Sequence, residues 1–192
     1  MADTMRQKLP PGQTKTEKWP VLHYGGIPRV DPATWTFEVT GEVETPARWT
    51  WDEFSRLPRA TVRCDIHCVT AWSRFDNTFE GVACRDLLRH VTPRAGAAFV
   101  TVHAYGDYTT NLPLEALLDD DTLFAFTHDG RPLAAEHGGP CRLVVPKLYF
   151  WKSAKWVHGI ELTRQNLPGF WERNGYHMHG DPWKEERYSD PW

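Results

Sequence analysis

The stretch RCDIHCVTAWS, residues 63–73, puts Cys68 at the end of a short β-like run (60–66). A polar turn ending in Trp72 and Ser73 follows at once. A thiol at a strand exit is held rigidly while one side stays open, as a metal ligand or a covalent nucleophile requires. Its thiolate is a soft, charge-donating ligand. Free cysteine is also among the most buried residue types, so an inert core thiol is the alternative. Cys64 and Cys68 flanking His67 superficially suggest zinc. The CxxxC spacing is one residue longer than the usual knuckle and no second close pair follows, which argues against zinc and leaves Cys64 as a core residue.

A second stretch, RLVVPKLYFWKSAKWVHGIEL at 142–162, sets Arg142, Lys152 and Lys155 about a proline-bounded turn, with Ser153 as a short donor. Three positive groups, a hydroxyl and the loop amides suit one small dianion such as a phosphate monoester. Standing alone, the same residues would make an ordinary basic surface loop. Other templates fail: there is no HExxH, GxGxxG or GxxxxGK[ST], and no nucleophile elbow stands behind a Ser-His-Asp reading.

The elements that must position these groups are short. Residues 1 to about 18 are polar and proline-spotted, and are expected to be loose. Trp35, Phe37 and Val39 alternate with polar neighbours in a half-buried strand ended by Gly41. Thr50 and Glu53 form a capping box for a short helix closed by Pro58. Strands are expected at 79–82, 98–104, 122–127, 143–145 and 156–162. A helix over 85–91 turns Leu87, Leu88 and Val91 inward, and another starts at Pro113 with Leu114, Leu117 and Leu118 inward. His128-Asp129-Gly130-Arg131 is a turn. No helix is long enough for regular βαβ crossovers, so the class is α+β, with mixed sheets and short helices.

The chain has 192 residues, enough for one domain with tails, and its formal net charge is -3. No global basic field exists to attract nucleic acid or anionic lipid. No apolar run reaches the roughly 18 to 20 residues of a membrane span, and the first twenty residues show no export signal. Four sparse cysteines are then expected as reduced thiols, with the cytoplasm as the default location. From Pro168 the tail carries Phe170, Trp171, Tyr176, Trp183, Tyr188 and Trp192, and is expected to wrap over the domain or over a second subunit in a homo-oligomer.

Together the Cys68 stretch, above all IHCVTAWS at 66–73, and the 142–162 block resemble the molybdopterin-binding domain of the sulfite oxidase family. The resemblance runs from about Trp19 to the end. It implies that Cys68 gives a thiolate sulfur to molybdenum, and that Arg142, Lys152, Ser153 and Lys155 hold the pterin side chain and its phosphate. It further places His103, His137, His23 and Tyr24 against the pterin, with Tyr108 and His67 towards the open coordination side. No haem domain, immunoglobulin-like dimerisation domain, twin-arginine signal or second arginine-rich sulfite cluster can be placed in these residues.

What the resemblance implies is a molybdenum cofactor-dependent oxidoreductase that exchanges an oxo group with a small-molecule donor or acceptor in a two-electron step. An external one-electron or flavin partner would complete it. A non-enzymatic binding or assembly subunit with a degenerate or empty cofactor site is the other class that fits. Cofactor content separates the two.

Overall fold

The computed structural model describes residues 8–189. Its elements are eleven strands and four short helices. The strands are β1 (Thr14–Lys15), β2 (Thr36–Gly41), β3 (Ala47–Thr50), β4 (Ala60–His67), β5 (Trp72–Ala83), β6 (Phe99–Ala104), β7 (Tyr108–Pro113), β8 (Leu123–His128), β9 (Arg131–Pro132), β10 (Arg142–Val144) and β11 (Val157–Thr163). The helices are α1 (Trp51–Ser55), α2 (Cys84–Leu87), α3 (Leu114–Leu117) and α4 (Phe170–Arg173). One sheet runs β1-β5-β8-β10, with β4 also on β5 and β9 on β8. The other runs β3-β2-β11-β6-β7. This is the α+β class expected, with mixed sheets and short helices.

The two sheets share one apolar core. On β2, Phe37 and Val39 are buried while Glu38 between them is exposed, the period-two pattern of a half-buried strand. Phe37 meets Phe124 of β8 with ring centres 4.7 Å apart and stacks on Phe54 of α1 at 4.6 Å. Each such ring contributes about 1.5–3 kcal/mol by leaving water. Thr50 and Glu53 make both halves of the capping box, which starts α1 and delivers Phe54 to this core.

Several boundaries differ from expectation. The expected strand at 79–82 is the end of the 12-residue β5, whose bulge near Gly81 sequence periodicity does not reveal. Any side chain at Gly81 would reach 1.9 Å from the Phe124 carbonyl oxygen, so only glycine admits the close approach of β8. Helix 85–91 is split into α2 and a 3-10 turn. Pro113 ends β7 and precedes α3, and of the three leucines Leu117 is buried whereas Leu118 is exposed.

Residues 8–18 also differ from a loose segment; residues 1–7 and Trp192 lie outside the described residues. β1 runs parallel to β5, with Thr14 N donating to Ala71 O and Thr16 N to Ser73 O, both at 2.9 Å. Among the described residues, no helix is long and apolar enough to cross a membrane.

Candidate active site

β4 and β5 form a hairpin, and Cys68 is the first residue of its turn. Cys68 N donates to Trp72 O at 2.9 Å and Ala71 N to Cys68 O at 3.1 Å. Ala71 sits at φ 70°, an uncommon conformation for a residue with a side chain, which the surrounding hydrogen bonds hold in place. Gln13, from the segment ahead of β1, donates its side-chain amide to Cys68 O at 3.0 Å. Nothing in the local sequence signalled that support.

The 142–162 block meets this turn directly, since Phe150 N donates to His67 O at 2.8 Å. Between them lies a cavity of about 320 Å³. Cys68, Arg142, Ser153 and Lys155 reach it from the two blocks, and His23, Tyr24 and Tyr108 from elsewhere. The rest of its wall is mainly aromatic, with Trp19, Trp72, Tyr105, Trp151, Trp156, Phe170, Trp171 and Tyr176. Composition alone could not single these rings out among ten tryptophans.

The cations differ in their surroundings. Arg142 is 1% exposed and its guanidinium lies 4.2 Å from the centre of the Phe150 ring. It donates to the carbonyls of His137 and Ser153, both at 2.8 Å. Burial pulls it down to about 9, so it stays charged at neutral pH. Lys155 Nζ donates to the carbonyls of Leu22 and Glu136, and burial, then the Arg142 charge, pulls it down to about 7. Neither cation is hydrogen-bonded to a carboxylate among the described residues. The Ser153 hydroxyl accepts from Val145 N at 2.9 Å, so its main commitment is to the turn itself.

Four expected site residues lie off this cavity. Lys152 is fully buried against Glu172 at 2.7 Å, because the tail brings that carboxylate to it. His67 points behind the turn, its Nδ1 2.8 Å from Ser73 Oγ. His103 faces Glu161 across the second sheet at 3.4 Å. His137 stacks on Trp19 with ring centres 3.9 Å apart, one layer behind the wall. Tyr108 lines the cavity, and its hydroxyl is donated to Trp151 O at 2.8 Å.

Cys64 is half-buried in the hairpin, and desolvation pushes its thiol up to about 12. Among the described residues, no group of three or more His, Cys, Asp and Glu side chains converges as a metal site.

Two short-helix sheets, a thiol and two carbonyl-held cations around one aromatic cavity define a cofactor-binding α+β domain. The model of the oxidoreductase molybdopterin binding domain matches residues 24–171, and the chain belongs to that family: it is a molybdopterin-binding oxidoreductase. It is 46% identical over 183 residues to the oxidoreductase YuiH of Bacillus subtilis (strain 168), covering 95% of this chain and 92% of that protein. It is 29% identical over 192 residues to the protein-methionine-sulfoxide reductase catalytic subunit MsrP of Gluconobacter oxydans (strain 621H), covering 83% of this chain and 61% of that one. The fold is similar to that of the sulfane dehydrogenase SoxCD from Paracoccus pantotrophus, with TM-score 0.70 and 22% identity over 80% of this chain and 43% of that chain.

The residues present fit the molybdenum cofactor. A soft sulfur donor lies in the same cavity as two cations that, among the described residues, have no hydrogen bond to a carboxylate, matching a group with a metal end and an anionic end. Trp72 adds a buried Nε1 donor with no partner among the described residues.

Proposed function

We propose that this chain catalyses two-electron oxo transfer, with Cys68 as the protein ligand to molybdenum. Arg142 and Lys155 would hold the anionic end of the pterin, with Ser153 shaping the turn between them. One observation carries this reading: Cys68 is the only cysteine lining the cavity among the described residues, and it shares it with Arg142 and Lys155. When bound, the cofactor supplies a metal that changes by two electrons as an oxo group is gained or lost.

The chain's own residues then have distinct work. Burial pushes the Cys68 thiol up, while hydrogen bonds from Thr70 and the charges of Arg187 and Lys155 pull the other way and favour the thiolate that a metal needs. Tyr108 is pushed well above the ordinary tyrosine range by burial, then by Glu172, so it stays protonated and serves as a fixed wall. His23 and Tyr24 close the cavity from the N-terminal side, Tyr24 lying 4.7 Å from Phe170.

With both cations given to the cofactor, the remaining wall is aromatic and favours an uncharged, weakly polar oxo donor or acceptor over an inorganic oxyanion. An external one-electron or flavin partner would exchange electrons with the metal. The four unpaired cysteines fit a reducing compartment such as the cytoplasm.

Molybdenum near one per chain, in protein from a host that makes the cofactor, is the expected result, together with turnover of a neutral sulfoxide at lower KM than nitrate. A metal-free protein that folds equally well would instead favour a binding subunit.

A further inference from the structure

Lys152 and Glu172 form a buried ion pair away from the cavity, at 2.7 Å, and neither side chain exposes any surface. Lys152 Nζ is further shared among Asn111 O and Oδ1, both at 2.9 Å, and Met178 O at 2.8 Å. Glu172 Oε1 also accepts from Trp151 Nε1 at 2.8 Å and Thr110 Oγ1 at 3.1 Å. A buried pair adds little net stability over an apolar one of the same volume, because desolvation offsets the attraction. What it does impose is geometry.

That geometry is transmitted to the cavity. Trp151 precedes Lys152, Trp171 precedes Glu172, and both indoles line the cavity. Tyr176 bridges them, 5.1 Å from Trp151 and 4.8 Å from Trp171 between ring centres. Cys68, Val69, Tyr149 and Trp151 pack as one cluster, with Trp171 and Tyr176 against it. The tail main chain approaches the same loop, as Tyr149 N donates to Gly180 O at 2.7 Å. Gly180, at φ +84°, has no room for a side chain, since a Cβ there would lie 2.9 Å from the Trp151 ring.

We infer that Lys152 and Glu172 are a positioning pair that fixes the Trp151–Tyr176–Trp171 wall over Cys68 and so sets access to the thiol. The inference rests on the cavity being the site proposed above. The alternative is a plain staple that holds the fold and leaves access to Cys68 unchanged.

The full chain, purified from a host unable to make the cofactor, is treated with iodoacetamide, and each cysteine is followed by peptide mass spectrometry. The rate against pH gives a thiolate rate constant, which separates access from ionisation. Cys84 and Cys141, both fully buried, report opening of the whole fold. Glu172→Gln is expected to alkylate Cys68 at least about ten-fold faster, with Cys84 and Cys141 unchanged, through local opening of the wall.

The double variant Lys152→Met/Glu172→Leu leaves no stranded charge. It does orphan Trp151 Nε1, Asn111 O and Met178 O, so its melting temperature is expected to fall, less than in Glu172→Gln, while Cys68 is still exposed and Cys84 and Cys141 stay protected. Cys68 as slow as in the parent in the double variant, or all three cysteines rising together in both variants, would overturn the inference. Molybdenum loss in Cys68→Ser tests the site separately. Loss there with unchanged alkylation in the pair variants sinks only the pair. Metal retained there with faster alkylation sinks only the site.

Discussion

Thr70 Oγ1 lies 3.1 Å from Cys68 Sγ, inside the turn that joins β4 to β5. A hydroxyl at this distance can donate to a thiolate and stabilise it against the cost of burial. Cys68→Ser is expected to abolish the sulfur-to-molybdenum charge-transfer band while leaving far-ultraviolet dichroism unchanged, because a hydroxyl is a harder and poorer donor. Cys64→Ser and Cys84→Ser, whose residues do not line the cavity, should keep that band. An unchanged band in the Cys68 variant would refute the ligand assignment.

Arg142 and Lys155 should separate by what each variant does to the fold. Lys155→Ala is expected to weaken pterin retention about ten- to a hundred-fold, the effect of losing one charged donor to a buried dianion. Arg142→Ala should do the same and also lower stability by about 2–4 kcal/mol, as it leaves a void beneath Phe150 and two orphaned carbonyls. Ser153→Ala should affect stability more than retention, by about 1–3 kcal/mol, since Val145 N loses its acceptor. Molybdenum and pterin per folded chain, with calorimetry, decide. Full occupancy in Lys155→Ala would place the phosphate elsewhere.

Acid should destabilise the protein over a defined window. His128 and His137 are each pulled down to about 4, by burial first. The unfolded chain takes up protons near pH 6.5 and the folded one only near 4, so between these values the unfolded state binds more. The stability contributed by the neutral rings is therefore complete above about pH 6.5 and lost as pH falls towards 4. His137→Phe keeps the stack on Trp19 and removes one titrating group, so its melting temperature should fall less steeply over that range. Parallel curves for the two proteins would contradict the burial of a neutral His137.

A chain ending at Asn166 should melt several degrees lower. It loses Glu172 and the Met178 carbonyl, two of the groups packed on the Lys152 ammonium, and it loses the rings of Trp171 and Tyr176 from the Cys68 cluster. Each large ring that returns to water costs about 1.5–3 kcal/mol. Differential scanning calorimetry of the two lengths measures it, and equal melting temperatures would show that the tail carries no stability.

Much of this was legible locally. Alternation in β2 and the Thr50–Glu53 capping box are set by neighbours a few residues apart, and both stand in the structure. The α+β class followed from short elements without crossover helices. Cys68 at a strand exit, and the cations of the 142–162 block, were visible as residue types at a spacing. Which of those cations face the cavity was not. Lys152 and Lys155 are three positions apart and chemically alike, yet one is buried against Glu172, twenty residues further along, while the other meets the carbonyls of Leu22 and Glu136. Periodicity likewise could not place His67 behind its turn, since the Ser73 that holds it arrives only when β5 pairs back on β4. Residue type and local pattern specified the donors and most of the strands. Only the tertiary structure decided which donors share one cavity and what walls it, because a buried charge goes where its hydrogen-bonding partners are, and those of Lys152 and Lys155 include groups far away in sequence.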